Sequence, residues 1–191
     1  MRRTAVRMMS LAALFATAAC DGDGSGGSRL SPGEVAAVYR VCSLRFVPEN
    51  NQVLPAADLM TRVVSRTPPA GKPEPTLTLG QDGRYQLFYT EQRNSFTRDL
   101  QGQVGFGAET VRINFYSGDN RGEIPTELLL PARVDLEFSD SPRRRLATSP
   151  NAQRYPVARR DYAQAAGISE SGLAPEIFGS LDATFREGSC N

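Results

Sequence analysis

Three cysteines are the residues of this chain with the clearest capacity for covalent chemistry. Cys20 ends an apolar run and is followed by acidic residues and glycines, whereas Cys42 and Cys190 lie near the two ends of the remaining chain. The chain contains no histidine, which excludes Ser–His–Asp and Cys–His catalytic arrangements and removes the commonest zinc ligand. The sequence therefore predicts a protein that is not an enzyme and that carries no metal or other cofactor.

The first 19 residues predict a secretory signal peptide. Arg2, Arg3 and Arg7 form a positive start without any acidic residue, and an apolar segment from Met8 to about Ala19 follows. This segment is shorter than the roughly 20 residues that a helix needs to cross a bilayer. We therefore expect residues 1–19 to be removed from a chain that is exported from the cytoplasm.

The segment TAAC, residues 17–20, resembles the lipobox of bacterial lipoproteins. The resemblance implies cleavage before Cys20 and attachment of lipid to its sulfur, which would anchor the protein to a bacterial membrane, in the periplasm or at the cell surface. An ordinary signal peptide cut after Ala19, with Cys20 left as a free thiol, is the alternative. Residues 20–32, rich in glycine and serine, predict a lipid attachment point and a flexible tether.

The net charge and the length of the remaining chain limit its possible partners and its number of domains. It has 22 basic and 21 acidic residues, and removal of the three arginines in residues 1–19 leaves a net charge of about −2. Such a balance favours neither nucleic acid nor an anionic membrane surface as a partner. Residues 33–191 are long enough to form one domain with a proper core, and no repeat or internal linker divides them.

The cysteine count predicts a disulfide. If Cys20 carries lipid, Cys42 and Cys190 remain as an even pair in an oxidising compartment. A bond between them would close a loop of 148 residues and join the end of the chain to the first strand. Two unrelated thiols are the alternative.

Several segments alternate apolar and polar side chains with period two, as strands with one buried face do. In the first predicted strand, Tyr39 and Val41 share one side, and Cys42, Leu44 and Phe46 share the other. In later segments the apolar sides consist of Phe96, Leu100, Val104 and Phe106; Val111, Ile113 and Phe115; Leu128, Leu130, Ala132, Val134, Leu136 and Phe138; and Leu181, Ala183 and Phe185. The turn GQDG, residues 80–83, predicts a hairpin between two β-rich runs.

Helix is scarce in this sequence. Residues 57–65 predict one short early helix, and residues 161–179 predict one or two late helical turns that end at Gly167 and Gly179. Seven or eight strands in meander order must bury their apolar face, either by closing or by packing on another sheet. We therefore expect a mostly β fold, a single antiparallel meander barrel of about eight strands, with a β-sandwich as the alternative.

The order of these elements resembles a lipocalin-like (calycin) barrel over about residues 33–185. The likeness lies in the glycine-led first strand GEVAAVYRVCSL, an early short helix, successive hairpins and a late helix before a closing strand. Apolar and aromatic residues on the predicted inner face form a candidate ligand cavity: Tyr85, Leu87, Tyr89, Phe96, Phe106, Phe115 and Phe138. The alternative is that these side chains fill the interior of a small barrel.

Charged clusters give weaker signals. Asp135 and Glu137 lie on the polar side of a predicted strand, which indicates a solvated surface rather than a catalytic pair. Residues 119–123 lack the spaced oxygen ligands of a calcium loop. The arginines can meet an anionic headgroup or an acidic partner, or can belong to solvated loops: Arg143, Arg144, Arg145, Arg154, Arg159 and Arg160.

Two functions follow as expectations. The first is a membrane-anchored envelope lipoprotein whose barrel binds a small apolar ligand. The second is a structural or protein-interaction lipoprotein of the cell envelope, with a filled barrel and loops that contact another protein.

Overall fold

The described part of the chain is mostly β, which confirms the predicted fold class. A computed structural model describes residues 28–63, 75–92, 97–115 and 128–190, and these form ten strands and three short helices. The strands are β1 Ala37–Pro48, β2 Ala57–Asp58, β3 Thr76–Leu79, β4 Arg84–Thr90, β5 Thr97–Phe106, β6 Thr110–Asn114, β7 Arg133–Ser139, β8 Arg145–Thr148, β9 Tyr155–Ala158 and β10 Glu176–Glu187. The helices are α1 Pro32–Val35, α2 Met60–Val63 and α3 Arg159–Ala166.

Eight of these strands close into an antiparallel barrel. They follow the order β1-β3-β4-β5-β6-β7-β8-β10, and β10 pairs back onto β1 from Tyr39 opposite Glu187 to Pro48 opposite Gly179. The connections β3–β4, β5–β6 and β7–β8 lie at the end where β1 begins, which we call the sealed end. The opposite end, where the connections β4–β5, β6–β7 and β8–β9 lie, is the loop end. The closed meander excludes the β-sandwich.

Strands β1 and β10 continue beyond the barrel at the loop end. The first half of β1 pairs with β3, whereas its second half pairs with β2. In the same way β10 pairs with β8 near its end and with β9 at its start. The barrel therefore carries an extension of four strands, β2-β1-β10-β9. Phe46 of this extension packs edge-on against Tyr162 of α3, with ring centroids 5.8 Å apart.

A β-bulge in β1 changes which side chains of the first strand point into the barrel, compared with the prediction. The register of β1 on β10 shifts between Val41 and Ser43, which leaves Cys42 as the extra residue. Because the extra residue reverses the alternation, Tyr39 and Val41 point inward before the bulge and Leu44 and Phe46 point inward after it. The prediction that these two pairs lie on opposite faces is wrong.

The disulfide joins this bulge to the end of the chain. Cys42 and Cys190 are bonded, with their Cα atoms 5.3 Å apart and 148 residues between them in sequence. The predicted pairing is confirmed. The chain after β10 turns at Gly188, whose φ of 82° suits glycine, and this turn directs Cys190 towards β1.

The helices differ from their predicted positions. The early helix occupies only Met60–Val63, since Ala57 and Asp58 pair with β1 as strand β2. The late helix α3 ends at Gly167, as predicted, in a left-handed conformation with φ of 69°. No second helix forms before Gly179, because residues from Glu176 onward belong to strand β10. Helix α1 was not predicted.

Inward side chains of β4 to β7 and β10 follow the predicted alternation. Val111 and Ile113 are buried on β6, Val134 and Leu136 on β7, and Leu181, Ala183 and Phe185 on β10. The exception is Ala132, which is exposed because it precedes the first residue of β7. Within the described residues, no helix has the length and apolar character required to cross a membrane.

Candidate functional site

Six of the seven predicted cavity residues are described, and these six lie on the inner face of the barrel. Tyr85, Leu87, Tyr89 and Phe115 are between 1% and 6% exposed. Phe106 and Phe138 are partly buried and pack against the same cluster, whereas Phe96 lies outside the described residues. Because so little of their surface is accessible, these side chains border almost no empty space that could hold even a water molecule. The binding of a ligand by these residues stays a prediction.

Large side chains fill the space around them. Four tyrosines, one phenylalanine and seven aliphatic residues are the largest fully buried side chains: Tyr39, Tyr85, Tyr89, Tyr162, Phe46, Leu59, Leu77, Leu100, Ile113, Leu128, Leu136 and Leu146. An eight-stranded barrel is just wide enough for such side chains to fill it. The hydroxyls of Tyr39, Tyr85 and Tyr162 donate to backbone carbonyls, as most buried hydroxyls do. Tyr85 donates to the carbonyl of Asn114 at 3.1 Å, and Tyr162 donates to that of Pro55 at 2.7 Å.

The segment before β1 covers the sealed end. The backbone N–H of Leu30 donates to the carbonyl of Gly107 at 2.8 Å, and Val35 of α1 is fully buried. Ser31 donates from its backbone N–H and its hydroxyl to the carboxylate of Glu34, at 2.6 and 2.7 Å. These two hydrogen bonds lower the pKa of Glu34.

Arg144 binds the segment before β1 to the barrel. Its guanidinium donates to the carbonyl of Ala36 at 2.9 Å and lies 3.4 Å from a carboxylate oxygen of Asp140. Beside it, the hydroxyl of the fully buried Tyr39 donates to the carbonyl of Val35 at 2.6 Å. Burial raises the pKa of Tyr39 to about 12, and the positive charge of Arg144 opposes that shift. The sealed end is thus closed by apolar packing and backbone hydrogen bonds.

At the loop end the barrel wall has a gap between β7 and β10. Strand β8 ends at Thr148, the chain leaves the sheet over residues 149–154, and it returns to β10 as β9 at Tyr155. A cavity of about 360 Å³ lies in this gap. Its floor includes Val134 and Leu181 of the core, and its remaining walls consist of Pro131, Arg133, Asp135, Ser149, Asn151, Ala152 and Gln153.

A second cavity lies on the other side of residues 149–154. It measures about 330 Å³ and shares Asn151 and Ala152 with the first. Beside it, Arg154 donates to the carboxylate of Glu49 at 2.7 Å, which ties the segment to the end of β1. We call the two cavities with residues 149–154 the loop-end groove. Both volumes fall within the range of known binding clefts, about 300–1,000 Å³.

Charged residues also border the first cavity. Arg112 binds Asp135 through two hydrogen bonds, of 2.6 and 3.1 Å, on the outer face of β6 and β7. These bonds lower the pKa of Asp135 and raise that of Arg112. Arg133 is exposed and makes no ion pair with a described residue. Asp135 and Glu137 are both exposed, which agrees with their interpretation as surface residues.

Apolar residues are exposed on the same end of the molecule. Phe178 of β10 is 48% exposed and lies opposite Pro156 of β9, whose ring is also exposed. Val53, in the connection after β1, is 73% exposed. The loop end therefore combines two cavities with exposed apolar side chains.

The structure does not gather the arginines into one site. Arg143, Arg144 and Arg145 lie at the sealed end, where Arg143 donates to the hydroxyl of Ser189 at 3.3 Å. Arg154 borders the loop-end groove, and the other two arginines begin helix α3. The chain brings no group of three or more metal-binding side chains together within the described residues. Residues 119–123 lie outside those residues.

The sequence analysis missed two features of the loop end. Glu91, which follows β4, is only 3% exposed and pairs with Arg98 of β5. A single acid between polar residues carries no periodic signal for burial. The loop-end groove had one detectable sign, the turn-forming pair Pro150-Asn151, which interrupts the chain between β8 and β9.

Comparison of the chain with protein-family models, with curated proteins and with solved structures finds no match.

Proposed function

We propose that this chain is a lipid-anchored protein of the bacterial cell envelope, whose filled barrel serves as a rigid scaffold for binding a partner protein through the loop end. The observation that carries the proposal is the contrast between the two parts of the molecule. Large buried side chains occupy the interior, whereas the two cavities described above lie at the loop end beside the exposed Val53 and Phe178. The absence of histidine from the whole chain supports a binding role over catalysis.

The position of the tether supports the choice of the loop end. The chain enters the barrel at the sealed end, where Leu30 bonds to Gly107. Nine residues lie between Cys20 and Leu30, and the ten steps from one to the other span at most about 35 Å when fully extended. A lipid on Cys20 would hold the sealed end towards the membrane. The loop end would then face away from the lipid, accessible to another envelope protein.

Removal of the anchoring cysteine tests the proposed localisation. We expect Cys20→Ser to move the protein from the membrane fraction to the soluble envelope fraction, because the thioether for lipid is lost. Fractionation of cells and incorporation of labelled palmitate measure this change. Cys42→Ser is the matched control and should keep both the lipid and the membrane location. A Cys20→Ser protein that still took up palmitate or stayed with the membrane would contradict the proposal.

Photocrosslinking tests the proposed interaction. We expect a photoreactive benzoylphenylalanine in place of Phe178 to give a discrete crosslinked species in living cells, since this side chain is exposed beside the loop-end groove. The control places the same group at Val38, which is 56% exposed but lies at the sealed end. Equal crosslinking from both positions, or none from Phe178, would count against the loop end as the partner surface.

A small apolar ligand is the second candidate function. It is favoured by the floor of the first cavity, because Val134 and Leu181 are core residues reached from outside through the gap. An apolar molecule entering there would contact the interior of the barrel. Native mass spectrometry of protein purified from its own envelope distinguishes the candidates: a retained small molecule supports the ligand carrier, and its absence together with a crosslinked partner supports the scaffold.

A further inference from the structure

The gap between β7 and β10 exposes backbone groups of two strands that face each other. In an antiparallel sheet, successive residues direct their N–H and C=O groups to alternate sides. Just before β7, the carbonyl of Ala132 accepts from the N–H of Phe115 on the β6 side. By alternation, Arg133 and Asp135 therefore direct their backbone groups to the β8 side. There β8 pairs only with residues 136–139. The pair Leu136–Thr148 brings Ser149 next to the carbonyl of Asp135, whereas the N–H groups of Arg133 and Asp135 have no hydrogen-bond partner on that side among the described residues.

The opposite wall of the gap is β10. Residues 184–186 pair with β8 and residues 176–179 pair with β9, which leaves residues 180–183 without a strand on that side. The side chain of Thr148 bonds to both backbone groups of Ala183. The Thr148 hydroxyl accepts from the N–H of Ala183 at 2.9 Å and donates to the carbonyl of Ala183 at 3.4 Å. By alternation, Leu181 also directs its N–H and C=O into the gap, and no described residue bonds to them.

We propose that this gap binds an extended peptide segment of the partner protein, which adds a short strand between β7 and β10 and places a carboxylate on Arg133. The inference rests on the proposed function and names the binding mode at the groove. Unpaired strand edges are templates for a further strand, and peptide recognition by strand addition draws its affinity from main-chain hydrogen bonds. From Gly179 to Ala183 the open edge measures about 13 Å, which admits about three peptide residues.

The charges that line the first cavity select an acidic peptide. Arg112 binds Asp135 through two hydrogen bonds, whereas Arg133 only helps to lower the pKa of Asp135 and forms no ion pair with a described residue. The remaining polar wall consists of uncharged side chains, those of Ser149, Asn151 and Gln153. A carboxylate is the complement of this single guanidinium.

Hydrogen exchange of individual amides tests the binding mode. The probe is a defined pool of pentapeptides Thr-X-Glu-X-Thr, with X as Val, Ile, Phe or Tyr, added to the purified disulfide-bonded protein. We expect the amides of Asp135 and Leu181 to exchange at least about tenfold more slowly with peptide, since they gain hydrogen bonds. Val134 and Asp182 are internal controls and should not change, because their amides already face β6 and β1.

Matched variants and peptides sharpen the test. Arg133→Ala should weaken binding of the Glu pool about fivefold, as loss of one exposed charge contact does. Arg160→Ala, which removes an exposed arginine on α3, should leave it unchanged. Ala152→Trp should fill the cavity and abolish binding while far-ultraviolet circular dichroism stays the same. Peptides with Pro at X should not bind, because proline donates no hydrogen bond.

Three results would overturn the inference. The first is unchanged exchange of the Asp135 and Leu181 amides at saturating peptide. The second is slow exchange of these amides before peptide is added, with dimers in native mass spectra, which would assign the gap to a second copy of this chain. The third is a partner crosslinked from position 178 whose capture is unaffected by both Arg133→Ala and Ala152→Trp. That third result would leave the scaffold proposal standing and remove only the strand-addition mode.

Discussion

Replacement of Cys42 and Cys190 by alanine is expected to lower the free energy of unfolding by about 3–5 kcal/mol. The disulfide closes a loop of 148 residues, and the entropy that such a crosslink removes from the unfolded chain grows with loop length. The double variant should still fold, because the long ladder between β1 and β10 closes the barrel without the disulfide. Chemical denaturation in urea, without reductant, measures the change.

The control compares the stability of the wild-type protein and of the double variant with and without a reductant. The stability of the wild-type protein should fall towards that of the double variant when dithiothreitol is added, whereas the double variant should be insensitive. A double variant as stable as the oxidised wild type would show that the crosslink constrains little of the unfolded chain. It would also weaken the interpretation that the chain end is held to the bulge for stability.

Gly179→Val is expected to lower the free energy of unfolding by about 3 kcal/mol or more, because the side chain has no room. A Cβ atom at Gly179 would lie 2.5 Å from the ring of Phe46 and 2.5 Å from the backbone carbonyl of Val47. The ring belongs to a fully buried core residue, and the carbonyl belongs to the neighbouring strand. The substitution therefore pushes β1 and β10 apart at the loop end.

Another strand glycine provides the control. A Cβ at Gly105 of β5 would meet nothing nearer than 3.4 Å, an ordinary contact with Arg112. Gly105→Ala should change the free energy of unfolding by less than about 1 kcal/mol. Thermal and urea denaturation of both variants give the comparison. Equal destabilisation by the two changes would mean that loss of backbone freedom, rather than the contact with Phe46, explains the effect at Gly179.

The filled interior has a consequence for how the molecule can act. Close-packed protein interiors do not open without loss of their contacts, and for this reason we propose that the protein recognises a partner through its surface. Among the described strands, the backbone of β7 is open on the side where β8 ends early. A scaffold with one interrupted strand can bind a partner without rearranging its core.

Much of the fold followed from one-dimensional patterns. Alternation over β6, β7 and β10 identified the inward residues correctly, since side chains of a strand point to opposite faces with period two. The even pair of cysteines left after Cys20 predicted the disulfide. The seven candidate cavity residues were assigned by the same alternation, and the six that are described all lie on the inner face.

Errors arose where a long-range contact changes the local rule. The bulge at Cys42 reverses the alternation of β1. Neighbouring residues give no signal for this bulge, because the register of β1 is set by its pairing with β10. Gly179 was read as the end of a helix. Its glycine is required instead by the ring of Phe46, more than one hundred residues away in the sequence.

The sequence by itself predicted the mostly β fold class, the inner faces of most strands and the cysteine pairing, because these depend on residue type and short-range order. Only the tertiary structure decided where the wall is interrupted and which backbone groups stay unpaired there. The end of β8 at Thr148 and the return of the chain at Tyr155 are set by pairing with β10, a strand encoded later in the chain. Strand pairing is a property of two distant segments together, so neither segment alone could reveal the gap.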